Sequence, residues 1–80
     1  MQLPEIKRLS ETYTTEELKK AEDAIMNEAK PDIDVHGKDE GEQLTHILAA
    51  IDILYDMKNN SVDLRTALRN YSQRVRNSIS

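Results

Sequence analysis

The stretch GKDEGEQLTHILAAIDILYDMKNN, residues 37–60, decides the fold. Its first ten residues hold three acids, one lysine and one histidine, and an almost unbroken apolar run follows. Asp39 and Glu42 stand three apart directly before that run. This is the spacing of a capping box, in which the cap carboxylate takes an orphan N–H and the third residue reaches back. Glu40 and Glu42 also set negative charge on the positive end of a helix dipole. The pattern predicts a helix over roughly 40–58. Leu44, Ile47, Leu48, Ile51 and Leu54 share one face of it. Ala49, Ala50, Ile53 and Met57 cover much of the remainder. Only Thr45, Asp52 and Asp56 leave a narrow polar stripe. A helix that is apolar nearly all round belongs at the centre of a fold.

Working outward, LPEIKRLSETY places Leu3, Ile6, Leu9 and Tyr13 at helical spacing, with Pro4 in a first turn that needs no N–H from it. A short first helix over roughly 4–11 follows. Thr14 and Glu17 form another capping-box pattern, and Leu18, Ala21, Ile25 and Ala29 line the face behind it. Pro31 biases Lys30 away from helical geometry, which predicts a second helix over roughly 15–29. In PDIDVHGKD, Ile33 and Val35 alternate with acids, an extended pattern too short for a sheet of its own. Gly37 marks a turn. Asn59 or Asn60 is the expected left-handed residue after the third helix. Ser61 is the expected N-cap of a fourth helix over roughly 62–77, with Asp63 in its first turn. Its buried face is Leu64, Leu68, Tyr71 and Val75, continued by Ile79. The expectation is one domain, residues 1–80. It is an all-α compact bundle of four helices, with the third central and one extended connection between the second and third.

Eighty residues bury a modest share of their surface, and small domains without staples often gain stability by association. There is no Cys, hence no disulfide and no thiolate metal site. There is no Phe or Trp, so Leu, Ile, Val, Ala, Met and three Tyr must build the core. Net charge is −4, which weighs against general nucleic-acid binding. No apolar run has the length of a membrane span, so no membrane is expected as a partner. The start, MQLPEIKRLSE, lacks the basic region and apolar stretch of a secretory leader. A cytoplasmic protein is the expectation.

Candidate chemistry is sparse. His46 lies one turn after Glu42, so carboxylate and imidazole meet on one face. Such a pair shares a metal ion, or forms a base with its orienting acid. His36 and Asp39 extend the constellation to His36, Asp39, Glu42 and His46. The bland alternative is a packed, hydrogen-bonded His46 and a solvated His36. No serine stands in a GxSxG setting, and no glycine loop of the GxxxxGK kind is present. On the fourth helix, Arg65, Arg69 and Arg76 fall on one face with Ser72 between them, a possible anion contact. Set against Asp52 and Asp56, the same stripe is an intramolecular ion-pair seam. Tyr55 falls beside Asp52, either at an interface or lying across two helices.

The residues DEGEQLTHILAA (39–50) and ALRNYSQRVRNSIS (67–80), with a looser fit of LPEIKRL (3–9), resemble a group of small bacterial all-α proteins of unknown function. The resemblance implies a bacterial, cytoplasmic, helical protein and supplies no catalytic residue. The expected function is therefore non-enzymatic, without a cofactor: a protein–protein interaction module, self-associating as a homodimer. Its interface residues are Ile33, Val35, Ile53, Tyr55 and Met57. The alternatives are a small metal- or ligand-binding domain centred on Glu42 and His46, and a nucleic-acid accessory protein using Arg65, Arg69 and Arg76.

Overall fold

The computed structural model describes residues 2–79, with Ser78 and Ile79 described as backbone only, so the expected burial of Ile79 lies outside it. Four helices follow in order: α1 Leu3–Thr12, α2 Thr15–Met26, α3 Glu40–Asn59 and α4 Leu64–Ile79. No strand occurs among the described residues. Each of α1, α2 and α4 packs on α3, and they touch one another far less. The central position expected for the third helix is what the structure has.

Two apolar clusters lie on different sides of α3. Leu9, Leu18, Ala21, Ile25, Ile47, Ala50 and Ile51 form the first, with Tyr13, Ile33, Val35, Leu44 and Leu54 against it. Ile6, Ala49, Ile53 and Ala67 form the second, bordered by Met57, Val62, Leu64, Leu68 and Tyr71. Thus α1 contributes to both, through Leu9 and Ile6. A fully buried Leu or Ile contributes roughly 1.5–3 kcal/mol, so these few side chains dominate the stability of so small a fold.

The helix ends show where local sequence decides and where it misleads. Thr14 and Glu17 close the expected capping box: the Thr14 N–H donates to Glu17 Oε1 at 2.9 Å, and the Glu17 N–H donates to Thr14 Oγ1 at 3.2 Å. At α3 half of the box forms. Asp39 Oδ1 accepts the Glu42 N–H at 2.8 Å, while the Glu42 carboxylate turns toward His46. The second helix stops at Met26, short of the expected Ala29. Glu28 takes a left-handed φ of 59°, its N–H bonds the Ile25 carbonyl, and the Ala29 N–H bonds the Ala24 carbonyl. These two bonds are a Schellman motif, with Glu28 where glycine is usual. It is this turn, ahead of Pro31, that ends α2. After α3 the left-handed residue is Ser61, φ 53°, and Asn60 is the cap before it. Ser61 therefore does not cap α4. Asp63 does, its Oδ1 accepting the Thr66 N–H at 2.8 Å.

Candidate functional site

Between α2 and α3 the chain runs across the bundle in a period of two. From Pro31 to Lys38 exposure alternates without exception: 31, 33, 35 and 37 are half-buried, and 32, 34, 36 and 38 are exposed. Ile33 and Val35 rest on the first apolar cluster as anchors. The backbone alternates as well. The Asp34 N–H donates to the Tyr13 hydroxyl at 3.3 Å, and the Asp34 carbonyl accepts from Arg8 Nη2 at 2.6 Å. The His36 N–H donates to Glu5 Oε2 at 2.8 Å, and the His36 carbonyl lies 2.8 Å from His46 Nδ1. Neither Ile33 nor Val35 makes a backbone hydrogen bond to any described residue. The backbone groups of Asp34 and His36 thus clamp this strap to α1 and α3.

Gly37 is needed for a close approach rather than a special φ. A Cβ there would stand 2.9 Å from the backbone nitrogen and the Cγ of Gln43, so the strap could not lie this near α3.

The clamp has two polar centres. Glu5 is buried on α1 and takes Arg8 in a two-pronged pair, 2.7 and 2.8 Å, as well as the His36 N–H. Burial alone pushes its carboxyl up. The Arg8 hydrogen bond, the His36 N–H and the charges of Arg8 and His36 outweigh that and hold it below the ordinary value. The His36 ring sits outside, with Nε2 3.0 Å from Asp34 Oδ2 and Nδ1 3.5 Å from Glu5 Oε1.

His46 is the second centre, and it is fully buried. The backbone N–H of Gln2 donates to its Nε2 at 3.0 Å. An N–H only donates and a carbonyl only accepts, so Nε2 must be the bare nitrogen and Nδ1 must carry the proton toward His36. Both ring nitrogens are therefore engaged. Glu42 Oε1 stands 4.0 Å from Nε2, too far to hydrogen-bond, and that lone pair is already used. For the alternative reading of Glu42 and His46 as a metal or base pair, the geometry is an imidazole with both nitrogens on backbone groups and a carboxylate 4.0 Å away. In the wider constellation, the His36 ring faces Glu5 and Asp34, and Asp39 caps α3. No group of three His, Cys, Asp or Glu suited to a metal ion occurs among the described residues.

The whole chain, residues 1–80, matches the model of a family described as a family of unknown function (DUF6952). The chain belongs to that family. No curated protein and no solved structure matches it.

In this DUF6952 chain the expected interface residues have unequal fates. Ile53 is 0% exposed, closed over by Ile6 of α1 and Ala67 of α4, so the spare face expected there is core. Met57 borders the same cluster, half-buried. Ile33 and Val35 are half-buried on the strap. Tyr55 is 39% exposed, with the Lys19 ammonium of α2 over its ring, 5.1 Å from the centroid. Leu48, seven residues earlier on the same outward stripe of α3, is 45% exposed. Arg65, Arg69 and Arg76 all lie exposed on α4. The seam with α3 is made by others: Arg74 Nη2 meets Asp52 at 3.0 Å, and Asn70 Nδ2 donates to Asp56 at 3.4 Å.

Sequence reasoning passed over Gln2, Glu5 and Arg8. The available signal was Glu5, an acid adjoining Ile6 on the apolar side of α1, with an arginine three residues on to neutralise it.

No helix among the described residues is long and apolar enough to cross a membrane.

Proposed function

We propose that this chain is a non-enzymatic protein–protein interaction module that associates with a second copy of itself. The observation that carries the proposal is the fate of the polar cluster. Glu5, Arg8, Tyr13 and His46 serve to hold the connection between α2 and α3 in place through the backbone of Asp34 and His36, with Ile33 and Val35 half-buried beside it. Ordering a segment beforehand lowers the entropy cost of binding through it, which is the physical use of such a clamp. The exposed Leu48 and Tyr55 add apolar contact area on α3. The same proposal places the protein in a bacterial cytoplasm, on its likeness to small bacterial helical proteins.

Sedimentation equilibrium from low micromolar to millimolar concentration tests it. A reversible monomer–dimer equilibrium that divalent metals leave unchanged is the expected result. A monomer throughout that range would reject it.

A second reading rests on Arg65, Arg69 and Arg76, three exposed cations on one helix face. It calls for steeply salt-dependent binding to RNA or DNA, and a gel-shift titration at low salt decides it.

A further inference from the structure

We infer that His46, Glu42 and the backbone of Gln2 form an acid-sensitive latch: a second proton on the imidazole moves Nε2 from Gln2 to Glu42 and releases the first turn of α1.

The latch is built on a helix start that has no cap of its own. Gln2 is the N-cap of α1, and its side chain makes no cap hydrogen bond. Its carbonyl accepts the N–H groups of Glu5 and Ile6 at 3.1 and 3.2 Å, and its N–H goes outside the helix, to Nε2 of His46. A buried imidazole on α3 thus serves as acceptor at the positive end of the α1 dipole. Only the neutral ring can do so. Nε2 offers a single lone pair, and a proton placed on it sets N–H against N–H. It also sets positive charge against the positive end of α1. Nδ1 gives no relief, because its proton is committed to the His36 carbonyl.

The second acceptor is already in place. Glu42 Oε1 stands 4.0 Å from Nε2, one turn back on the same helix. That carboxylate makes no hydrogen bond to a described residue, so nothing holds it away from the ring. A rotation of the Glu42 side chain brings it onto a protonated Nε2, in a charge-assisted bond of the stronger kind. The ring itself is 0% exposed and the Glu42 side chain 21%, so the proton enters from solvent along the carboxylate.

Release stays local. Gln2, Leu3 and Pro4 are exposed, and burial begins at Glu5. The rest of α1 is held by Ile6 and Leu9 in the two apolar clusters and by Glu5 on the His36 N–H. The other titratable groups around the ring are Glu5 on α1 and the His36 ring on the connection. Burial pushes the Glu5 carboxyl up, but Arg8 and the His36 N–H hold it below the ordinary value, so it stays ionised where an imidazole titrates. The His36 ring is exposed and faces Asp34 and Glu5.

The test follows the nitrogen-15-labelled full chain by NMR between about pH 8 and about pH 5, the range in which an imidazole changes charge. Wild type is compared with E42Q, which removes the charge of the second acceptor, and with H36Q, which removes the other ring and keeps its backbone carbonyl. In the wild type, the protonation of Nε2 and the shift of the Gln2 amide share one midpoint. Across it, the hydrogen-exchange protection of the Glu5 and Ile6 amides falls on the order of tenfold, the worth of one hydrogen bond. H36Q keeps this coupled transition, and E42Q moves its midpoint to lower pH. A Gln2 amide that stays unchanged while His46 titrates would overturn the latch. So would a His46 ring that takes no second proton in the folded chain, a midpoint that E42Q leaves in place, or a Gln2 transition that H36Q abolishes.

Discussion

The backbone N–H of Gln2 and Nε2 of His46 lie 3.0 Å apart across 44 positions of sequence, joined by a hydrogen bond that fixes the tautomer of a fully buried imidazole. Through its other nitrogen the same ring holds the carbonyl of His36. One side chain therefore ties the start of α1, the strap and α3 together. His46→Ala leaves a cavity and releases two backbone groups. Urea denaturation is expected to show a loss on the order of 2 kcal/mol, without any change in metal response.

Glu5 gives the clamp a pH dependence with a definite sign. Its carboxyl is held below the ordinary value in the folded chain, so the unfolded chain binds its proton first as pH falls. The stabilisation is complete above the ordinary glutamate range and is lost as pH falls through the lowered folded value. Glu5→Gln is expected to cost about 2 kcal/mol at neutral pH, by loss of its charge-assisted bonds. It should also flatten the acid limb of the stability profile. Urea midpoints collected from neutral to strongly acidic pH check both effects, and an unchanged acid limb would show that Glu5 is not the group responsible.

Glu28 holds a left-handed φ of 59° at the C-terminal turn of α2, where a side chain adds steric cost and glycine adds none. Glu28→Gly is expected to stabilise the protein by about 1 kcal/mol. That corresponds to a rise of about 5 °C in Tm for a chain of this size, read by thermal denaturation.

Ile53 and Leu48 separate core from surface on α3. Ile53→Ala opens a hole between α1, α3 and α4, and its expected cost is on the order of 3 kcal/mol in monomer stability. Leu48→Ala should stay within about 0.5 kcal/mol of wild type. Chemical denaturation at a concentration below the dimer range measures both without interference from association.

How far the sequence could be read follows from the range of the interactions involved. Thr14 and Glu17 were legible because a capping box is complete within four residues. The centrality of α3 was legible because its apolar positions run nearly all round. The end of α2 was not, since Pro31 is a strong local signal and nothing marks Glu28 as left-handed until the Schellman bonds are seen. Ser61 and Asp63 are both good caps, and only the observed turn chooses between them. Ile53 appeared to lie on a spare face because sequence does not show that α1 reaches both sides of α3 through Ile6 and Leu9. The partners of His46 are the backbone groups of Gln2 and His36, which carry no side-chain signature. Its pairing with Glu42 was therefore the visible alternative.

The most direct test of the central claim, that the polar cluster is a structural clamp, is the nitrogen-15 spectrum of the His46 ring at neutral pH. The expected result is a protonated Nδ1 and a bare, hydrogen-bonded Nε2, both unmoved by zinc, manganese or iron. A proton on Nε2, or a shift of either nitrogen when metal is added, would contradict the clamp and return Glu42 and His46 to the role of a binding site.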